Sequence, residues 1–165
     1  MPYVLPCLRG THTGVSVKEL KVDITISEQL VRPLRDRAIL RGYDEYSDLP
    51  EAAKVRVYSL EEIVVEKIVA LADRVRNEPR DLYDAWFLMN NGHVDILELV
   101  GDIEQKLAFR GRSTEGFADD FKSKENRLKK LWTARLAAQM AKLPEFENIY
   151  RSVSRMMRIA GLFDR

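Results

Sequence analysis

The sequence predicts an α+β fold, with short strands inside residues 1–58 and a helical bundle over residues 59–165. Three observations carry this. Leu20, Val22, Ile24 and Ile26 alternate with Lys21, Asp23, Thr25 and Ser27, the period-two pattern of a strand with one covered face. From Ser59 onward the period changes: Leu60, Ile63, Val64, Ile68 and Leu71 recur at helical spacing. The remainder keeps that spacing and is punctuated at Asn91-Gly92, Gly111, Gly116, Pro144 and Gly161.

Composition bounds the class. The chain has 165 residues, 45% hydrophobic and 32% charged, enough for one domain with a sizeable core. Its formal net charge of +1 hides an asymmetry. Residues 1–121 carry 16 Lys and Arg against 22 Asp and Glu, whereas residues 122–165 carry 11 against 4. An acidic front and a basic tail either meet different partners or attract each other. Cys7 stands alone, so neither a disulfide framework nor a thiolate zinc site is expected. No apolar run reaches the ~18 residues of a membrane span, and no basic-then-apolar leader opens the chain. A cytoplasmic location and no membrane partner are expected.

Taken in order, Tyr3 to Leu8 and Val15 to Ile26 are strand candidates that could pair as an antiparallel hairpin around the turn-like Arg9 to Gly14. Asp23 projects from the polar face of the second. It becomes a metal-ligand candidate only if other carboxylates converge on it. Residues 28–54 read as a charged surface loop. Gly42 to Asp48 is acidic, but lacks the spacing of a calcium-binding helix–loop–helix. Val55 to Tyr58 reads as a short strand.

Ser59 is an N-cap, and Glu62 three residues on completes a capping box. The helix that follows places Lys67 in its apolar stripe and Arg74 one heptad later on the same side. A cation there is costly unless an anion meets it. The break from Val75 to Pro79 is short enough for an antiparallel helix pair, and the second helix offers Asp81 and Asp84 on one face. A third helix is expected over 95–109, a fourth over 117–142 and a fifth from Pro144 to near Gly161. In the fourth, Phe121, Leu128, Leu131, Trp132 and Leu136 form the core face, and Lys122, Lys124, Arg127, Lys129 and Lys130 the remainder. In the fifth, Arg151, Arg155 and Arg158 form a stripe, which reads as a solvated face or as an RNA-backbone surface.

No nucleophile–His–carboxylate arrangement and no glycine-rich phosphate loop is present. His12 and His93 lack metal-ligand spacing. Asp23, Lys67, Arg74, Arg80, Asp81 and Asp84 remain. The last five are either an ion network fixing the helix pair or a phosphate-handling site, with Lys67 as a point charge and the carboxylates orienting it or holding Mg²⁺.

The run from Val57 to Leu71 (Val-Tyr-Ser-Leu-Glu-Glu-Ile-Val-Val-Glu-Lys-Ile-Val-Ala-Leu), then Arg74, then Pro-Arg-Asp-Leu-Tyr-Asp-Ala-Trp-Phe-Leu from Pro79 to Leu88, resembles the signature of the AbiEii/AbiGii nucleotidyltransferase toxin family, of the polymerase-β-like superfamily. Leu20 to Thr25 resembles that family's strand with the third carboxylate, and Trp132 to Phe146, ending Leu-Pro-x-Phe, its C-terminal helical region. The resemblance implies a partial nucleotidyltransferase-like sheet, antiparallel or mixed, over 1–58, followed by the bundle. It implies catalytic roles for Asp23, Lys67, Asp81 and Asp84, metal binding at Asp23, and phosphate binding at Lys67, Arg74 and Arg80. It further implies NTP and Mg²⁺ as cofactors, transfer to a tRNA-like RNA, and an antitoxin partner.

The sequence departs from the family pattern in one respect. It has no Gly-Ser or Gly-Gly pair followed by an Asp-x-Asp strand, which two-metal transfer needs. The chain is therefore expected to be inactive alone, as a piece of a longer protein, a naturally truncated form or one half of a split enzyme completed by an N-terminal half. A non-catalytic RNA- or protein-binding helical module, or a self-associating remnant with open strand edges, is the rival expectation.

Overall fold

A computed structural model of the chain describes residues 28–40, 42, 50 and 52–163. The hairpin expected over 3–26, and Asp23 with it, lies outside these residues, as do His12 and most of the acidic stretch Gly42 to Asp48. Six α-helices and a two-stranded antiparallel sheet make up the described part, in agreement with the α+β expectation.

The sheet corrects one reading. Residues 28–54 are not all loop: β1 (Arg35–Ala38) pairs with β2 (Lys54–Val57), Arg35 opposite Val57 and Ala38 opposite Lys54. Of the eight residues only Val57 is not fully exposed. A strand that buries neither face shows no apolar alternation, which is why β1 leaves no mark in the sequence.

Helix α1 (Leu60–Ala72) is the centre of the bundle, packing on α2 (Pro79–Asn90), α3 (Val100–Phe109) and α4 (Phe117–Ser123). Its buried face is wider than the expected stripe. Val64, Ile68 and Leu71 are buried as predicted and Val65 and Val69 join them, whereas Leu60 is 41% exposed. The capping box forms only half-way. Ser59 Oγ accepts from Glu62 N–H at 3.1 Å, but the Glu62 carboxylate turns away to accept from the Val31 and Arg32 amides at 3.1 and 2.8 Å. Pro79 opens α2 at its first turn, where no donor is needed. Gly92 follows α2 with φ +69°, the left-handed turn expected there. A 3-10 turn, Ile96–Leu99, precedes α3, and Asp95 caps it through Leu97 N–H at 2.9 Å.

The helix expected over 117–142 is two helices, α4 and α5 (Glu125–Leu136), followed by a 3-10 turn, Ala137–Gln139. Lys124, at the junction, is not a surface cation: it is 2% exposed and donates to the Ala70 and Leu71 carbonyls at 3.1 and 2.9 Å. It thus adds a donor to carbonyls in the last turn of α1, where Ala70 also accepts from the Asp73 amide at 3.2 Å. Trp132 Nε1 donates to the Pro144 carbonyl at 2.9 Å and fixes the entry of α6 (Phe146–Ile159). Phe146, Ile149, Val153 and Met157 bury the inner face of α6 against α2 and α5.

Candidate functional site

Lys67 and the second helix meet as the energetics of a core-facing cation require. Lys67 Nζ lies 2.9 Å from Asp81 Oδ1 and 2.8 Å from Asp84 Oδ2. Asp81 and Asp84 share a face of α2 because residues three apart are neighbours on a helix. The Lys67 side chain is only 17% exposed, so the ammonium sits in the wall of the bundle with its hydrogen bonds largely shielded from water. Lys67 donates to Asp81 Oδ1, and Asp84 stands at ion-pair distance from the same ammonium.

Asp81 is the best-buried member, and it carries a second cation the sequence did not single out. Arg76 donates from Nε to Oδ2 at 2.6 Å and from Nη2 to Oδ1 at 3.2 Å, a two-pronged grip. Arg76 lies in the break between helices, where periodicity gives no facing rule, so only the folded loop brings it to Asp81. Burial pushes the Asp81 carboxyl up, but the hydrogen bonds from Arg76 and Lys67 outweigh it and hold the group below the usual carboxylate range. The Arg76 guanidinium is held above its ordinary value by the Asp81 hydrogen bonds, against the burial that lowers it.

The other predicted residues divide. Arg74 turns away from Lys67 and pairs with Asp120 at 2.6 Å, its side chain 75% exposed. Arg80 is exposed and makes no ion pair among the described residues. Neither joins the Lys67 cluster. Asp23 lies outside the described residues. Arg151, Arg155 and Arg158 are all exposed on α6 and line an open cleft of about 520 Å³ together with Glu125, Glu147, Tyr150 and Ser154.

A second ion network was not anticipated. Lys106, 1% exposed, pairs with both Glu62 and Glu66, and Arg110 reaches Glu66 at 2.7 Å. With the Glu62 contacts to Val31 and Arg32, this ties the segment before β1 to α1 and α3. Arg32 adds a bond to Asp102 at 2.6 Å. Glu62 and Lys106 fall at helical positions that a pattern reading assigns to a cap and to a solvated face.

The described residues contain no group of three or more metal-ligating side chains that could hold an ion. Both Asp81 oxygens are engaged by Lys67 and Arg76. Among the described residues no helix is long and apolar enough to cross a membrane.

The family model described as nucleotidyl transferase AbiEii toxin, Type IV TA system, matches residues 4–152. No curated protein and no solved structure matches the chain.

Proposed function

This chain belongs to the AbiEii nucleotidyltransferase toxin family, and we propose that it serves the transfer of a nucleotide from an NTP to a tRNA-like RNA acceptor, with Lys67 as the phosphate-facing cation. The observation that carries the reading is the Lys67 ammonium, held between two carboxylates in the wall of the bundle. Phosphoryl transfer asks a protein mainly for positioning and for stabilisation of charge on the phosphate oxygens. A cation whose orientation is set in advance does this without reorganising as charge develops. Asp81, gripped from behind by Arg76, is the positioning residue for Lys67, and Asp84 supports it from the exposed side.

Mg²⁺ in such chemistry neutralises the charge shared between the phosphates. The described residues do not fit it, and the Asp-x-Asp pair that would hold it does not occur in the 165 residues. The reading therefore requires that pair to come from outside these 165 residues, whether on the same polypeptide or on another. Membership in a type IV toxin–antitoxin family makes an antitoxin the functional counterpart.

The test incubates the full chain with labelled NTPs and bulk tRNA, alone and with a polypeptide bearing the Gly-Ser and Asp-x-Asp motifs. Label should enter RNA when that polypeptide is present, and Lys67→Ala and Asp81→Ala should each lower the rate by about 10²-fold, as removing one preorganised charge donor does. Unchanged transfer in both variants would remove Lys67 from the reaction.

A further inference from the structure

The basic tail is not neutralised by the acidic front. Among the described residues every ion pair lies within residues 28–121, such as Arg32–Asp102 and Arg74–Asp120, or within the tail, as Lys129–Glu147 does. None crosses between the two. Arg151, Arg155 and Arg158 make no ion pair among the described residues, and all three line the one cleft between α5 and α6. Along a helix they rise by about 6 Å and then about 4.5 Å, which puts long guanidinium side chains within reach of successive phosphates.

Across the cleft from α6 stands one carboxylate, Glu125 at the first turn of α5; Glu147, on α6 one turn before Arg151, is paired with Lys129. Tyr150 lies half-buried between the two sides, stacked on Phe121 at 4.7 Å. Its hydroxyl is pushed up to about 12 by burial first and by Glu125 next, so it stays a neutral donor. An arginine ridge facing a carboxylate suits a ligand that alternates anions with hydroxyl donors. An acidic peptide offers anions and backbone N–H donors, but no hydroxyl at every repeat. The ribose–phosphate chain offers both, because its 2′-hydroxyl donates as well as accepts.

We propose that the α5–α6 cleft binds the sugar–phosphate backbone of RNA, with Arg151, Arg155 and Arg158 on the phosphates and Glu125 accepting from a ribose 2′-hydroxyl. The inference rests on the RNA-acceptor reading above and adds how that RNA is held and told from DNA.

The test is fluorescence anisotropy of the full chain with a labelled single-stranded RNA, its DNA counterpart and an acidic peptide, with no NTP present. RNA should bind in preference to DNA and to the peptide. Its affinity should fall about twentyfold between 50 and 200 mM salt, the loss for three phosphates on a single strand. Arg155→Glu with Arg158→Glu should weaken RNA binding at least about tenfold, whereas Arg135→Glu, an exposed charge reversal elsewhere on α5, should leave it near the starting value. Glu125→Gln should narrow the gap between RNA and DNA. Equal loss with Arg135→Glu, equal affinity for RNA and DNA, or tighter binding of the peptide each overturns the proposal. Because NTP is absent, intact binding without any transfer leaves the cleft standing while the transfer reading fails. Transfer that survives reversal of the arginines does the opposite.

Discussion

Lys124 is a cation buried at 2% exposure with no carboxylate in contact, held by the carbonyls of Ala70 and Leu71. Burial lowers its pKa to about 8, while Asp73, Asp81 and Asp120 act in the other direction from a distance and Arg112 adds to the lowering. A neutral amine has two hydrogens, one for each carbonyl, so deprotonation costs no hydrogen bond. The folded value lies below the unfolded one of about 10.4, so between them the unfolded state binds more protons and stability rises with pH. Urea unfolding from pH 7 to pH 10 should therefore show a gain above about pH 8 that Lys124→Met lacks. Parallel pH profiles for the two proteins would show that the lysine is charged when folded. At the candidate site the same scale decides roles: Lys67 and Asp81 were legible because a cation in an apolar stripe demands an anion, whereas Arg76 was hidden in a loop.

Helix α1 shows how one element is tied to its neighbours. Glu62 was read as half of a cap, yet it is fully buried and joins three elements: the Val31–Arg32 backbone, Lys106 of α3 and its own helix. Removing one partner of a buried pair leaves the other uncompensated, which costs about 3–5 kcal/mol. Glu62→Ala should lose that much in denaturant unfolding. Ser59→Ala, which removes only the cap bond, should lose about 1 kcal/mol. Similar losses in both would mean that Lys106 repairs its charge through Glu66 alone. The split of α4 from α5 belongs to this scale as well. Residues 117–136 carry a helical pattern throughout, and the break at Lys124 follows from what its side chain must reach.

For the whole molecule the decisive quantity is how charge is distributed rather than how much there is. The net charge is +1, but the ion pairs of the described residues stay within the acidic front or within the tail. Charges more than a Debye length of about 8 Å apart are screened from each other at physiological salt, and among the described residues no ion pair joins the tail to the front. The chain should be retained on a heparin column at neutral pH despite its near-neutral total, and replacing Arg151, Arg155 and Arg158 with Gln should release it at low salt. Failure to bind the column would show that the front screens the tail.

The sequence by itself determined the class of fold, the α1–α2 pair with Lys67 facing Asp81 and Asp84, the order of the helices and the family. Each follows from local period, caps or a costly charge that had to be met, and these are properties of residues close in the chain. Tertiary structure alone decided that β1 exists, that Arg76 completes the Asp81 cluster, that Arg74 and Arg80 stand apart from it, and that Lys106 and Lys124 are buried. Those outcomes depend on which distant groups a long side chain reaches, and helical or strand periodicity carries no information about that. Lys67 is the point where the two meet: its need for an anion was written in the stripe, and the two-pronged grip of Arg76 on that anion became visible only in the folded loop.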